Sequence, residues 1–188
     1  TLLDMAHAEG FNRSAEDVTI GRLLQFGLAP ALKQNFEEIQ RAPYLIQMLL
    51  AEINHEDTAK FFRVNYDGYW EKFNRGTVIA GDNKVSERIQ KMIENTNFVA
   101  LTLNKSIQSA LHIWEEGRKK LKLEEDSDSS IESNDELDDE MEGYPADLKG
   151  AFERWNLEVA VLNNSTERKS LYRSLSASEV SALQSEMT

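Results

Sequence analysis

The feature that most constrains the fold is a row of apolar residues from position 85 to position 114. Its members follow one another at steps of three and four residues: Val85, Ile89, Met92, Thr96, Val99, Leu103, Ile107, Ala110 and Trp114. The mean step is about 3.6 residues, the period of a straight α-helix. Asp82 or Asn83 can cap its start, and Gly117 precedes a basic end that suits the helix dipole. The pattern predicts one helix over about residues 83–123, roughly 50 Å long at about 1.5 Å per residue.

Shorter apolar segments before this helix predict further helices packed around it. Residues 44–54 follow Pro43 and are apolar at most positions, which is typical of a buried helix. An aromatic cluster follows within residues 59–73, comprising Phe61, Phe62, Tyr66, Tyr69, Trp70 and Phe73. The predicted fold is therefore all-α, an irregular multi-helix domain over residues 1–123 organised around the helix at about 83–123.

The composition changes sharply after residue 123. Residues 124–143 hold eleven Asp or Glu and no Lys or Arg, and the rest of the chain has 22 acidic and 21 basic residues. The net charge of −12 is thus concentrated in one block. Such a segment buries too little apolar surface to offset the entropy of ordering, which predicts an acidic disordered linker. Beyond it, residues 144–175 are predicted to be helical and residues 176–188 to form a flexible tail.

The predicted C-terminal helices carry an apolar stripe. Its members lie at steps of four, three, four and three residues: Leu148, Phe152, Trp155, Val159 and Leu162. On one helix they would share a face, which must pack on the 1–123 domain or bind a partner. Acidic residues of the linker are further candidates for contact with a basic partner surface: Asp135, Glu136, Asp138 and Asp139.

Three serines are candidate phosphorylation sites. Ser129 and Ser133 each have an acidic residue three positions later, and Ser176 lies three positions after Arg173. A phosphoryl group would add about −1.5 to −2 charges at each site. Phosphorylation is therefore expected to regulate contact with a partner.

The motifs of common catalytic and metal sites are missing from the sequence. It has no cysteine, no Gly-rich phosphate loop and no nucleophile elbow, and we predict no catalytic, cofactor or metal-binding residue. Glu52 and His55 have the Glu-x-x-His spacing of a di-iron site, but a second such unit does not follow. No apolar run approaches the roughly 18 residues of a membrane span. The lack of cysteine favours an intracellular location, although the chain begins at Thr1 and its start reads as processed or truncated.

These observations favour a non-enzymatic interaction protein, such as an adaptor, a regulator, or a viral or assembly component. It would bind a protein partner through helix faces, with the acidic segment steering or regulating contact with a basic surface. Direct binding of nucleic acid or of a membrane is not expected. One alternative is a helical ligand- or metal-binding enzyme that uses the aromatic cluster with Glu52 and His55. Another is an acidic chaperone or mimic for nucleic-acid-binding proteins. The sequence leaves the partner and the oligomeric state open.

Overall fold

The computed structural model describes residues 2–14, 18–40, 42–53, 58–118, 145, 147–164 and 171–187. The helices in these ranges are Leu2–Asn12 (α1), Ile20–Leu23 (α2), Ala29–Glu37 (α3), Asn83–Asn95 (α4), Leu103–Arg118 (α5), Leu148–Arg154 (α6) and Ala177–Met187 (α7). The strands are Met48–Ile53 (β1), Ala59–Val64 (β2), Trp70–Phe73 (β3), Ala160–Leu162 (β4) and Tyr172–Ser174 (β5). A π-helical segment, Leu24–Leu28, joins α2 to α3, and a 3-10 turn, Phe98–Ala100, lies between α4 and α5.

The fold is mixed α/β, so the prediction of an all-α fold is wrong. About 54% of the described residues are helical and 15% lie in two small antiparallel sheets. One sheet has the order β1-β2-β3, and the other pairs β4 with β5. β1 and β2 lie in segments that were predicted to be helical, 44–54 and the run that ends at Tyr66, and β3 lies where a short turn was predicted.

Pairing between distant segments explains this error. In the register of β1 and β2, Met48 lies opposite Val64 and Leu50 lies opposite Phe62. These alternate side chains pack on Leu24, which lies in the helical layer and is fully buried. A short apolar run is compatible with a helix or with a buried strand. Here the antiparallel partner selects the strand, because both segments then bury one face against the same helices.

The chain divides into two compact units. One comprises Thr1–Thr96 with Leu162–Tyr172, and the other comprises Asn97–Val161 with Arg173–Thr188. The core of the first unit is formed by Leu24, Leu32, Phe62 and Val64. The buried apolar side chains of the second unit are Ile107, Ile113, Leu148, Ala151 and Leu183. The predicted linker at 124–143 lies outside the described residues.

The single helix predicted over about 83–123 is two helices, α4 and α5. Its predicted N-cap is confirmed, because Asp82 Oδ1 accepts the N–H of Lys84 at 2.6 Å. α4 ends at Asn95, and the C-cap residue Thr96 donates its hydroxyl to the carbonyl of Met92 at 2.8 Å. Val99 belongs to the apolar row but is 97% exposed, which shows that the row does not continue as one buried face. The apolar periodicity of the sequence therefore continues past the end of α4.

The turn between β2 and β3 requires glycine at position 68. Gly68 has a φ of +83°, a left-handed conformation that residues with a Cβ rarely adopt. Its N–H donates to the carbonyl of Asn65 at 3.1 Å and closes the turn. A Cβ at this position would overlap the carbonyl oxygen of Ala29 and would lie 3.1 Å from the Cβ of Lys33. The hairpin turn therefore packs directly on the backbone of α3.

Residues 177–187 form α7, where a flexible tail was predicted. Ser176 directly precedes this helix, and its Oγ accepts the N–H of Glu179 at 3.3 Å. Glu179 Oε2 in return accepts the N–H of Ser176 at 2.8 Å and its hydroxyl at 2.9 Å. This reciprocal arrangement is a capping box. The capping box and the burial of Leu183 both stabilise the helix.

Candidate functional site

An apolar surface lies where the chain enters β1. The side chains of Tyr44, Leu45, Ile46 and Leu49 are exposed, Leu45 to 74% and Leu49 to 48%. We call these four residues the apolar edge. Exposed large apolar side chains this close together in the sequence make the segment a candidate binding surface.

The backbone beside the apolar edge belongs to an edge strand. Because the order of the sheet is β1-β2-β3, β1 pairs with β2 alone among the described residues. The other side of β1 therefore presents backbone groups that have no strand partner in the described part of the chain. Such an edge can accept an extended peptide as an additional strand.

Three hydrogen bonds position the segment that leads into β1. The N–H of Tyr44 donates to Asn35 Oδ1 at the end of α3, at 2.9 Å. The N–H of Ile46 donates to the carbonyl of Tyr44 at 3.0 Å. Gln47 Nε2 donates to Asn65 Oδ1 at 3.1 Å, next to the start of the strand pairing. The apolar edge is thus held by α3 and by the sheet.

The apolar edge carries no charge that would repel an apolar strand. Residues 44–53 contain one charged residue, Glu52. Its Oε2 accepts the N–H of Ile20 at 2.6 Å, and its Oε1 lies 3.7 Å from Lys60 Nζ. Edge strands are commonly protected from pairing by exposed charged residues, lysine above all. Since Glu52 is bound within the fold, β1 lacks this protection.

A polar cleft of about 170 Å³ adjoins the start of β1 and contains Arg63. Arg63 Nη1 donates to the carbonyl of Val78 at 3.3 Å and to Ser86 Oγ at 3.1 Å. Its Nη2 donates to Glu71 Oε2 at 2.5 Å. Glu87 also lines the cleft. Because Glu71 neutralises the guanidinium, the cleft offers no excess positive charge to an anionic ligand.

The five residues of the predicted apolar stripe do not share one helix. Leu148 and Phe152 lie in α6, and Trp155 ends it by donating its N–H to the carbonyl of Ala151 at 2.8 Å. The backbone is extended at Trp155, and Leu162 is the last residue of β4. The predicted helix therefore stops at its middle, because the following residues pair with β5.

Two of the stripe residues are engaged within their own unit. Leu148 is buried, and its N–H donates to Glu115 Oε1 on α5 at 2.9 Å. The ring of Trp155 meets that of Trp114 edge-on, with centroids 6.3 Å apart. The guanidinium of Arg118 lies 4.5 Å from the Trp114 ring centroid and 5.5 Å from that of Trp155. α6 and Trp155 therefore pack on α5.

The predicted charged and phosphorylated residues are only partly described. The following lie outside the described residues: Asp135, Glu136, Asp138, Asp139, Ser129 and Ser133. Ser176 is exposed at the start of α7. Hydrogen bonds from the backbone N–H and then the hydroxyl of Ser176, followed by one from Arg173, lower the pKa of Glu179. The carboxylate that caps α7 is thereby kept ionised.

The alternative site at Glu52 and His55 gains no support from the described residues. Glu52 lies in a strand, so the helical spacing that would align it with a histidine three positions later does not apply. His55 lies outside the described residues. In the aromatic cluster, Phe62 is buried in the core and its ring centroid lies 6.1 Å from that of Trp70. These rings pack the sheet onto the helices.

The sequence interpretation missed the apolar edge. A signal was present, because residues 44–50 form an apolar run too short for a typical helix and follow a proline. Reading the run as a strand would have placed Leu49 on the opposite face from Met48 and Leu50. The position of β1 at the edge of the sheet has no such local signal.

The chain matches no protein-family profile and no curated protein sequence. None of the helices in the described ranges has both the length and the apolarity that crossing a membrane demands.

Proposed function

We propose that this chain is a protein-interaction module that binds an extended, largely apolar segment of a partner protein along β1. The observation that carries the proposal is the apolar edge beside a strand edge without a described partner. Backbone hydrogen bonds to β1 would provide affinity. Side chains of the added strand would alternate between the two faces, and contact with Leu49 and Leu45 would provide specificity.

The acidic block at residues 124–143 favours a partner that also has a basic surface. Its eleven acidic residues are one third of all the acidic residues of the chain. A concentrated negative charge accelerates encounter with a basic surface, and this acceleration becomes smaller as salt is added. Phosphorylation of Ser129, Ser133 or Ser176 would raise the negative charge and so regulate the encounter. These properties suit an adaptor, a regulator or an assembly component.

The two alternative functions have less support. The enzyme alternative placed its site at the aromatic cluster with Glu52 and His55, but Phe62 and Trp70 of that cluster pack in the core. In the polar cleft, Arg63 is already bonded to Glu71 and Ser86. A mimic of nucleic acid would spread its negative charge over a folded surface. In this chain the charge is concentrated in residues 124–143, and the remainder has a net charge of −1.

Site-specific photo-crosslinking tests the proposal. A photoreactive phenylalanine analogue replaces Leu45 in one variant of the full chain, and in a matched control it replaces Tyr172, an exposed aromatic residue of β5. Irradiation in cells, followed by mass spectrometry, identifies the partner peptide that lies beside each position. We expect Leu45 to crosslink to an apolar, extended peptide that the control position does not reach.

The affinity of the identified partner then decides the role of the strand edge. Leu49→Lys places a charge on the exposed face of β1, and we expect it to weaken binding at least about tenfold, equivalent to about 1.4 kcal/mol. Tyr172→Lys serves as the control and should leave the affinity unchanged. Equal crosslinking at both positions, or an unchanged affinity of Leu49→Lys, would refute the proposal. A crosslink to a second copy of the chain would identify the partner as the chain itself.

A further inference from the structure

Three metal-ligating side chains lie together on α5, outside the apolar edge. His112, Glu115 and Glu116 each offer one ligand atom, and these atoms all lie within 4.8 Å of one another. Positions i, i+3 and i+4 of a helix share a face, which explains the convergence. No metal-binding residue was predicted from the sequence.

The carboxylate of Glu115 is oriented by the neighbouring helix. Its Oε1 accepts the N–H of Leu148, at the start of α6, at 2.9 Å. Its Oε2 is left on the side of the imidazole, 3.8 Å from His112 Nδ1. Hydrogen bonds from outside a metal site commonly orient its carboxylate ligands in this way. Glu115 is only 19% exposed at its side chain, whereas His112 is 64% exposed, so the site is anchored on one side and accessible on the other.

We infer that His112, Glu115 and Glu116 form a binding site for a divalent transition-metal cation of the Zn²⁺ class. An imidazole nitrogen with two carboxylate oxygens matches the ligands that Zn²⁺ accepts, and three protein ligands leave a coordination position for water. Mg²⁺ and Ca²⁺ prefer oxygen ligands alone, so the histidine selects against them.

Cation binding at this site is coupled to the attachment of α6. Glu115 bonds to α6 through one oxygen and would bind the cation through the other. A bound cation therefore fixes the carboxylate that holds Leu148, and it stabilises the packing of Trp155 on Trp114. The inference is independent of the apolar edge, because none of its residues lies in the first unit.

Titration of the full chain with Co²⁺ and Zn²⁺ tests the inference. An excess of Mg²⁺ is included, because the eleven carboxylates of residues 124–143 can bind cations through oxygen alone. Co²⁺ reports its ligands through visible absorption, and Zn²⁺ is then added to displace it. Tryptophan emission follows Trp114 and Trp155 in the same titration. We expect saturable one-to-one binding with a change in emission.

Two variants test His112 and Glu115 as ligands, and a third variant is the control. His112→Ala and Glu115→Gln should weaken binding at least about tenfold, the scale found for disturbed metal sites. Gln can still accept the N–H of Leu148, so Glu115→Gln separates loss of the ligand charge from loss of the α6 contact. His7→Ala, which removes an exposed histidine of α1, is the matched control and should bind as the unmodified chain does. Circular dichroism confirms that each variant is folded. Unchanged affinity in His112→Ala, or no saturable binding of either cation, would overturn the inference.

Discussion

Replacing Gly68 by alanine should destabilise the first unit by about 3 kcal/mol. The left-handed conformation at φ +83° disfavours alanine by about 1–2 kcal/mol. The lower entropy of alanine in the unfolded chain offsets about 0.4–1 kcal/mol of this. The added Cβ would overlap the carbonyl oxygen of Ala29, which is backbone and cannot rotate away. Forcing the turn away from α3 adds about 1–3 kcal/mol, typical of overpacking.

The measurement needs a probe confined to the first unit. Trp70 provides one when Trp114 and Trp155 are replaced by phenylalanine, and urea denaturation followed by its emission gives the free energy of unfolding. Gly81→Ala is the matched control, because a Cβ at Gly81 would meet no atom within 4 Å. That control should change the stability by no more than about 0.5 kcal/mol. If both variants unfolded at the same urea concentration, the close packing of the turn on α3 would be refuted.

Other perturbations address the second unit and the cleft. Ile107→Asp should destabilise the second unit by about 3–5 kcal/mol, because it buries an unpaired charge. If thermal unfolding showed a free energy of unfolding within about 0.5 kcal/mol of that of the unmodified chain, the burial of Ile107 would be contradicted. Ser176→Ala should weaken α7 by about 1 kcal/mol, seen as lost helicity in circular dichroism. The pKa of Glu179 is lowered in the folded chain, so ionised Glu179 stabilises α7 fully above the ordinary glutamate pKa. This stabilisation is lost as the pH falls through the lowered pKa. An acid titration in which helicity shows no such loss would contradict the capping box. Arg63→Met should cost about 1–3 kcal/mol in urea denaturation, because it leaves Glu71 without its partner; unchanged stability would show that the bonds in the cleft are dispensable.

Local signals predicted the beginnings of helices better than their extent. Asp82 was predicted as a candidate N-cap because capping depends only on the cap residue and the next few residues of the chain. The structure confirms this prediction. Ile107 was predicted to be buried from its place in the apolar row, and it is. The break at Thr96 was missed because the row continues through it. A threonine hydroxyl bonded to the preceding turn leaves no trace in the period of apolar residues.

The strands were missed for a different reason. Pairing of β1 with β2 joins residues that no local pattern connects, and it decides whether an apolar run is a strand or a helix. The same limit applies to the apolar edge. A residue such as Leu49 is exposed only because β1 lies at the end of the sheet order, and that order is a property of the whole unit. At the cation site the residues were visible, but Glu115 gains its orientation from Leu148, which is distant in sequence.

On the proposed function, the distribution of charge in this chain would separate the rate of binding from its strength. The field of the acidic block would extend about 10 Å into solution at moderate salt and would accelerate encounter with a basic surface. The apolar edge has no charge of its own, and the charged residue nearby in β1, Glu52, is already engaged by Lys60 and Ile20. Its contribution to binding would come from burial and from backbone hydrogen bonds, which salt screens little. A partner that binds both the acidic block and the apolar edge would need an apolar extended segment next to basic residues. Proteins with these two features together are the class that the proposed module would recognise.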